Sequence, residues 1–247
     1  MPPVRLIIHE PAPGPWNMGV DEMLLLRAAA GAAPTLRLYQ WSEPTLSLGY
    51  FQRWADRAGH SASGDCTAVR RVTGGGAIVH HRELTYSFTM PVRDRLRQVP
   101  GELYARFHGS LIELLATRGL TARLCTEVMP REQAETIFLC FQRRAAGDLL
   151  VGAEKVCGSA QRRHRSGLLQ HGSLLLARSP QAPELPGLTE LGGAESGAEE
   201  LIAAWLELLA EKFGWEFERS PLTREERAEA ETIAREKFAQ PAWTERH

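Results

Sequence analysis

Two side chains in the middle of the chain, Cys140 and Lys155, have the chemistry of a nucleophile and of a cation that assists it. A loop cysteine near positive charge can act as a thiolate nucleophile, and Cys140 precedes the basic pair Arg143 and Arg144. A lysine in a cleft can pair with a carboxylate, a phosphate or a thiolate. Ordinary interpretations compete, because a cysteine flanked by Phe and Leu is often a small core side chain, and a strand lysine usually reaches solvent. From the residues alone both interpretations stay open.

The run from Arg70 to His80 is a second candidate site, because it carries three successive glycines, Gly74, Gly75 and Gly76. Glycines let a backbone approach a ligand closely, and their N–H groups can point at a carbonyl or a phosphate. A glycine bulge between two strands explains the run equally well. It lacks the GK[ST] and GxGxxG patterns, which disfavours a conventional nucleotide-phosphate site. His80 and His171 are lone histidines on predicted strands, for which a structural role is the simpler interpretation.

Short β-rich runs surround these residues and predict the strands that position them. Leu84 to Met90 alternates apolar and polar side chains until Pro91 ends the run, which is typical of a strand. Other predicted strands are Met1 to His9, Thr35 to Gln40, Thr45 to Leu48, Ala68 to Val72, Ala77 to Val79, Asp148 to Val151, Lys155 to Gln161 and Leu168 to Leu176. We expect a sheet with a glycine-rich bend inside it, followed by a three-stranded meander.

Four helices are predicted around this sheet. Asn17 is the predicted cap of the first helix, and a capping box at Thr223 opens the last one. The helices are Met18 to Ala30, Glu102 to Arg118, Ala198 to Phe213 and Thr223 to Phe238, and Ser179 to Gly197 is a predicted surface loop. Together the elements predict a mixed, mainly antiparallel α/β sheet domain with packed helices. We expect one catalytic domain over residues 1–247, with the C-terminal helices of 198–239 packed on it.

Composition excludes several classes of protein. The 247 residues are 43% hydrophobic and 24% charged, as in ordinary globular proteins. The balance of 29 basic and 30 acidic residues disfavours nucleic acid and anionic membranes as partners. The four cysteines form no CxxC pair, so we expect neither a metal site nor a disulfide framework. The N-terminus has no signal peptide pattern and no run of 18 apolar residues occurs, which predicts a cytoplasmic protein.

Taken together, the motifs resemble the lipoate and octanoate attachment family, which comprises lipoate-protein ligase A-like enzymes and octanoyltransferases and is structurally related to the biotin ligases. The resemblance covers roughly residues 17 to 176. It rests on Arg70-Arg71-x-Thr73-Gly74-Gly75-Gly76-Ala77-x-x-His80, Glu83-Leu84-Thr85-Tyr86-Ser87, Asp148-Leu149, Gly152-x-x-Lys155-Val156-x-Gly158-Ser159-Ala160-Gln161 and Gln170-His171-Gly172-Ser173-Leu174. The family implies a biotin/lipoate protein ligase-like fold.

Within the family, Cys140 and the Glu83 motif are similar to the octanoyltransferase and amidotransferase branch described from Gram-positive bacteria. The resemblance implies that Cys140 takes octanoyl from octanoyl acyl carrier protein as a thioester, assisted by Lys155. A lysine of a lipoyl domain or of the glycine-cleavage carrier protein then receives it. No cofactor is implied. The substrate-binding residues that the resemblance implies are Arg71, Gly74, Gly75, Gly76, His80, Gly158, Ser159 and His171.

Two positions depart from the family pattern. His81 stands where many relatives have an Asp, and Glu154 stands where an Arg commonly precedes the motif lysine, so Glu154 is a candidate partner of Lys155 or of nearby arginines. Three alternative functions of the chain also stay open. They are an amidotransferase that moves octanoyl or lipoyl between carrier proteins, an ATP-dependent lipoate-protein ligase, and an inactive scaffold that binds lipoyl domains.

Overall fold

The computed structural model describes residues 3–92, 99–193 and 197–247, and for residues 99 and 100 the backbone alone. The strands are β1 (Val4–Ile8), β2 (Thr35–Tyr39), β3 (Thr45–Leu48), β4 (Thr67–Arg70), β5 (Ile78–His80), β6 (Glu83–Pro91), β7 (Ala122–Leu124), β8 (Leu149–Val151), β9 (Glu154–His164), β10 (Gly167–Leu175) and β11 (Phe217–Arg219). The helices are α1 (Gly14–Ala29), α2 (Val99–Ala116), α3 (Arg131–Thr136), α4 (Ala198–Phe213), α5 (Arg224–Ile233) and α6 (Pro241–Thr244), with a π-helical turn over Ala234–Phe238. The sequence did not predict β7, β11, α3 or α6.

These strands form two sheets. The larger has eight strands in the order β11-β1-β2-β6-β10-β9-β8-β7, and only the two pairs that involve β1 are parallel. The predicted mixed, mainly antiparallel α/β class is therefore confirmed, as is the meander of β8, β9 and β10. The smaller sheet has the order β4-β3-β5. The glycine run consequently links two strands that each pair with β3, so the expected glycine-rich bend inside a sheet is confirmed, whereas β6 belongs to the larger sheet.

Strand β6 shows how the helices cover the larger sheet. Its apolar side chains Tyr86 and Phe88 pack on α2, where the Tyr86 ring stacks on Phe107 at a centroid distance of 4.9 Å. Its polar side chains face α1, where the Ser87 hydroxyl donates to the Asp21 carboxylate at 2.7 Å. The predicted alternation is therefore present, but both faces of the strand are buried, because helices lie on both sides of the sheet.

The predicted cap of the first helix is wrong. Helix α1 begins one turn earlier, at Gly14, and its N-cap residue is Pro13. Asn17 is buried within the helix, where its amide donates to the carbonyl of Ala12 at 3.0 Å and accepts from Arg37 at 2.6 Å. A buried amide needs such partners, and they come from elements distant in sequence that local pattern does not reveal.

The C-terminal helices agree with the sequence prediction. Helix α4 ends at Gly214, which has the positive φ of 63° that favours glycine, and the capping box at Thr223 opens α5. Helix α5 lies against α1, where Arg27 pairs with Glu229 at 2.7 Å. That the chain forms one domain stays a prediction. Among the helices of the described residues, none has the length and apolar character that crossing a bilayer requires.

The loop from Ser179 is more deeply packed than predicted. Within the described residues 179–193 it contains turns and one isolated bridge between Ser179 and Ala182. Leu185 and Leu188 are nevertheless buried and join the apolar cores. This loop therefore packs against the apolar cores as well as lying at the surface.

Candidate active site

A cavity of about 460 Å³ brings together nine of the ten predicted site residues. Both sheets contribute to its walls. The predicted residues that line it are Arg71, Gly74, Gly75, His80, Cys140, Lys155, Gly158, Ser159 and His171. The sequence motifs, which are spread over about a hundred positions, therefore converge on one space, while their roles toward a substrate stay predictions.

Cys140 and Lys155 are neighbours in this cavity. The Lys155 Nζ lies 3.9 Å from the Cys140 Sγ and donates to the Cys140 carbonyl at 3.3 Å. Cys140 is half-buried and begins a short 3₁₀ turn. Its N–H donates to the carbonyl of Ala77 at 2.7 Å, which ties the turn to the start of β5. The sulfur is thus fixed at the cavity wall, beside a cation.

Lys155 is a buried cation whose counter-charge is Asp148. The Nζ and the Asp148 carboxylate are 2.8 Å apart, and the two side chains are only 4% and 3% exposed. Burial alone would lower the pKa of Lys155, but the negative charges of a Cys140 thiolate and of Asp148 outweigh it and raise the pKa. Lys155 therefore stays an ammonium at neutral pH, and it supplies charge to the site instead of accepting protons.

Asp148 was not among the predicted site residues, although one signal pointed to it. It opens the first strand of the predicted meander, and the turn before Lys155 folds the chain back, so that β8 pairs with β9. Asp148 also accepts the N–H of Ala145 at 2.8 Å and the hydroxyl of Tyr104 at 3.4 Å. These bonds hold the carboxylate in place beneath the lysine.

Gly158 leaves the space in which the lysine lies. A Cβ at this position would fall 2.6 Å from the Lys155 Cε and 2.9 Å from its Nζ, well inside van der Waals contact. Any side chain at position 158 must therefore displace the ammonium from Asp148 or Cys140. This steric requirement explains why a glycine follows the lysine on the same strand.

Arg71 positions the glycine run. Its Nη2 donates to the carbonyls of Gly74 at 2.8 Å and Gly76 at 2.6 Å, and its Nη1 donates to the Ser47 carbonyl at 2.8 Å. Burial lowers the pKa of Arg71 to about 10, so the guanidinium is still charged at neutral pH. Gly75, held between these bonds with a φ of 96°, would place a Cβ 3.8 Å from the Cys140 sulfur. Arg71 thus fixes the backbone that faces the nucleophile.

Gly76 is the one predicted site residue that does not line the cavity. A Cβ there would fall 2.9 Å from both the Cys140 nitrogen and the Phe138 carbonyl, and 2.8 Å from Arg143 Nε. Position 76 must therefore lack a side chain so that the segment with Cys140 can pack against it. That Gly76 contacts a substrate stays a prediction.

His80 is held by neighbours on every side. Its Nδ1 lies 2.6 Å from the Glu83 carboxylate and its Nε2 lies 2.8 Å from the Ser47 hydroxyl. The ring also stacks on Trp41 at a centroid distance of 3.9 Å. Both ring nitrogens are engaged inside the protein, so His80 shapes the wall and offers a substrate little more than its ring surface.

His171 joins the cavity to a buried polar network that the sequence did not predict. Its Nε2 lies 2.7 Å from the Thr73 hydroxyl and its Nδ1 lies 3.5 Å from Asp21, which pairs with Arg37 at 2.8 Å. Burial alone would raise the pKa of Asp21, but its bond to His171 and the charge of Arg37 outweigh it and lower the pKa. Asp21 and Arg37 stand in apolar-looking segments, so nothing local marks them as partners.

The two departures from the family pattern lie outside the site. The carboxylate that pairs with Lys155 is Asp148, so the expected pairing of Glu154 with this lysine is wrong. Glu154 precedes Lys155 on β9, and successive side chains of a strand point to opposite faces. His81 lies 3.0 Å from the Ser179 hydroxyl through its Nδ1, and burial lowers its pKa. Neither residue lines the cavity.

The apolar part of the lining suits a short hydrocarbon chain. Met18, Tyr39, Trp41 and Ile78 contribute to the cavity wall, and the Tyr39 hydroxyl is directed into the protein toward Asp21, at 3.0 Å. Burial raises the pKa of Tyr39 well above its usual value, so this wall carries no phenolate charge. The arrangement brings together a thiol, a fixed cation and an apolar compartment, which are parts that acyl transfer through a cysteine can use.

Comparison with known proteins agrees with this chemistry. Residues 13–182 match the family model described as lipoyl protein ligase A/B catalytic domain. The chain is 36% identical to octanoyltransferase LipM from Kyrpidia tusciae, over 88% of this chain and 90% of the relative. It is 30% identical to octanoyltransferase LipM from Carboxydothermus hydrogenoformans, over 97% of each chain.

A solved structure shares the fold. The bi-partite lipoate protein ligase from Thermoplasma acidophilum, described with its E2 lipoyl domain, superposes with a TM-score of 0.78. The match covers 98% of this chain and 96% of the ligase chain at 18% sequence identity. This similarity extends over both sheets, and it concerns the fold alone.

Proposed function

Because the chain belongs to the lipoyl protein ligase A/B catalytic domain family, we propose that it is an octanoyltransferase of lipoate biosynthesis with Cys140 as its nucleophile. The relatives named octanoyltransferase LipM support the reaction. The observation that carries the choice of nucleophile is the distance of 3.9 Å between the Cys140 Sγ and the Lys155 Nζ at the cavity wall.

In the first half-reaction the Cys140 sulfur attacks the thioester carbonyl of an octanoylated acyl carrier protein. A new carbon–sulfur bond forms at Cys140, the carbon–sulfur bond to the carrier breaks, and the proton given up by the Cys140 thiol passes to the departing carrier sulfur. The ammonium of Lys155 attracts negative charge on the attacking sulfur, and Asp148 holds this ammonium in its charged form. The glycine backbone fixed by Arg71 leaves room for the carbonyl beside the sulfur.

In the second half-reaction a lysine amine of the acceptor attacks the acyl group on Cys140. The carbon–nitrogen bond forms, the carbon–sulfur bond breaks, and one amine proton passes to the departing sulfur. Lys155 again lies beside the sulfur while it carries charge. The acceptor is a lipoyl domain or the glycine-cleavage carrier protein, and the donor is acyl carrier protein. A cytoplasmic location stays a prediction.

The apolar lining gives a preference for acyl chain length. Removing or adding one methylene in such a pocket changes binding by about 1 to 3 kcal/mol. Octanoyl is therefore favoured over shorter and longer chains in a graded manner. The wall formed by Met18, Trp41 and Ile78 is where this preference is expected to reside.

Mass spectrometry of the intact protein tests the proposal. The purified chain is incubated with octanoyl acyl carrier protein in the absence of ATP, and an octanoyl adduct is sought on Cys140. We expect the adduct to form, to pass to a lipoyl domain, and to be abolished by Cys140→Ala. Cys66→Ala is the matched control, because Cys66 is buried in the core of the smaller sheet.

Other outcomes would assign a different function. An adduct formed only from an octanoylated carrier protein indicates an amidotransferase. Modification that requires ATP and survives Cys140→Ala indicates a lipoate-protein ligase. A stable complex with a lipoyl domain and no acyl transfer indicates a scaffold.

A further inference from the structure

The hydroxyl of Ser159 lies in a hydrogen-bond chain that leads from the cavity into the core. Its Oγ is 2.7 Å from the Tyr86 hydroxyl and 2.7 Å from the Nε2 of His108. Ser159 is half-buried and lines the cavity, whereas His108 on α2 is fully buried. The direction of each bond in this chain decides what the hydroxyl can offer to a substrate.

His108 fixes the direction on one side. Its Nδ1 lies 2.6 Å from the carbonyl of Gly147, and because a carbonyl only accepts, the Nδ1 carries the proton. Burial lowers the pKa of His108 to about 4, so the ring is neutral at pH 7. Its Nε2 is therefore a lone-pair acceptor, and the Ser159 hydroxyl must donate its hydrogen to it.

Tyr86 fixes the direction on the other side. The amide nitrogen of Gln170 donates to the Tyr86 oxygen at 2.8 Å, and the amide oxygen of Gln170 accepts from Gln161 at 2.7 Å. With this arrangement the Tyr86 hydrogen points to Ser159. The Ser159 oxygen thus donates once and accepts once inside the protein, and one lone pair remains for the cavity.

The backbone is shaped around this hydroxyl. Gly172 lies opposite Ser159 on β10, and a Cβ at position 172 would fall 2.2 Å from the Ser159 Oγ. The serine also follows Gly158, the residue that packs against the Lys155 ammonium. The hydroxyl is therefore held in a position that a glycine leaves free, one residue from the cationic part of the site.

We propose that the Ser159 hydroxyl oxygen accepts a hydrogen bond from the amine of the incoming lysine and thereby orients it. His108 is the positioning residue, because it takes the hydroxyl hydrogen and leaves the oxygen free to accept. The proposal rests on the proposed octanoyl transfer. A neutral amine has N–H groups to donate, whereas the reacting sulfur and carbonyl of a thioester have none. Ser159 accordingly acts in the second half-reaction. It accepts a hydrogen bond, while the amine proton itself passes to the departing Cys140 sulfur.

The test compares two nucleophiles on the same acyl-enzyme. The octanoylated protein is mixed with a lipoyl domain, whose lysine amine donates hydrogen bonds, or with ethanethiol, whose thiolate has none to donate. We expect Ser159→Ala to form the Cys140 adduct at a rate within about 2-fold of the unmodified protein. Transfer to lysine should fall about 10-fold to 100-fold, as for loss of one hydrogen bond to a reacting group, while transfer to the thiol is unchanged.

Variants of His108 supply the second readout. His108→Gln keeps an acceptor near the Nε2 position and should transfer to lysine at close to the unmodified rate, whereas His108→Leu should resemble Ser159→Ala. Ser110→Ala is the matched control, because this buried serine also loses two hydrogen bonds, to Trp205 at 2.8 Å and to the carbonyl of Phe107 at 2.7 Å, and lies away from the cavity. Thermal unfolding establishes that each variant is folded.

The outcomes separate this proposal from the proposed function. If the unmodified protein forms no acyl-enzyme, octanoyl transfer through Cys140 fails, and the role of Ser159 fails with it. If the acyl-enzyme forms and Ser159→Ala passes it to lysine at the unmodified rate, only the role of Ser159 is overturned. An equal loss toward lysine and toward the thiol also overturns it, because a general distortion of the site would affect both nucleophiles.

Discussion

Replacing Asp148 by Asn tests whether Lys155 is held as a buried cation. The substitution removes one negative charge while it preserves shape and the ability to accept the N–H of Ala145. Lys155 then keeps only the Cys140 sulfur as a counter-charge in a site where its side chain is 4% exposed. Breaking a buried ion pair by removing one partner costs about 3 to 5 kcal/mol, since a desolvated charge is left behind.

The free energy of unfolding should depend on pH in opposite ways in the two proteins. In the unmodified protein the pKa of Lys155 is raised, so its contribution to stability is present below the unfolded value of 10.5 and is lost as pH rises through the folded value. In Asp148→Asn the carboxylate no longer opposes burial, and the pKa of Lys155 falls. The unfolded state then binds more protons than the folded state, and stability rises with pH.

Urea denaturation followed by tryptophan fluorescence measures both effects. We expect the free energy of unfolding of Asp148→Asn to be about 3 to 5 kcal/mol below that of the unmodified protein at neutral pH. This difference in stability should become smaller as the pH rises toward about 10. Asp56→Asn is the control, because its ion pair with Arg53 has the same length of 2.8 Å, but the two side chains are 34% and 76% exposed. The control should lose at most about 1 kcal/mol. A deficit below about 1 kcal/mol in Asp148→Asn, or one independent of pH, would refute the reasoning.

Three further perturbations follow from the packing and the charges. Gly158→Ala should slow formation of the Cys140 adduct about 10-fold to 100-fold by displacing the Lys155 ammonium, while Gly109→Ala, whose Cβ meets nothing within 4 Å, should not. Phe107→Ala should lower the free energy of unfolding by about 3 to 5 kcal/mol in urea denaturation, because this ring is fully buried; a loss below about 1 kcal/mol would contradict that packing. The pKa of His108 is lowered from 6.5 to about 4, so its contribution to stability is present above pH 6.5 and is lost toward pH 4. Between these pH values the titration of His108 should change the free energy of unfolding by up to about 3 kcal/mol, and this pH dependence should be absent from His108→Gln. An unchanged pH dependence in the variant would contradict the lowered pKa of His108.

The sequence was most informative where local pattern and chemistry coincide. The alternation of β6 and the capping box at Thr223 are each decided within a few residues, and each was predicted correctly. The nucleophile and its cation were chosen by family resemblance, because the residue types of Cys140 and Lys155 alone left their roles open. Their proximity now supports that choice.

The parts that the sequence did not predict depend on contacts between distant segments. Asp148 pairs with Lys155 through the register of a hairpin, while the adjacent Glu154 was the more obvious candidate from the linear sequence. Asn17 has the chemistry of a helix cap, yet a buried arginine, Arg37, gives it a different function. Such pairings depend on which faces of the helices and strands pack together in the folded chain. Secondary-structure propensity and hydrophobic periodicity do not contain this information.

The backbone bond between the Cys140 N–H and the Ala77 carbonyl has a mechanical consequence. It attaches the sulfur to the segment that enters the smaller sheet, whereas the Lys155 ammonium is carried by β9 of the larger one. The distance between the Cys140 sulfur and the Lys155 nitrogen therefore depends on how the two sheets pack against each other. A substitution that shifts one sheet relative to the other is therefore expected to change the distance from the Cys140 sulfur to the Lys155 ammonium, and with it the reactivity of the thiol.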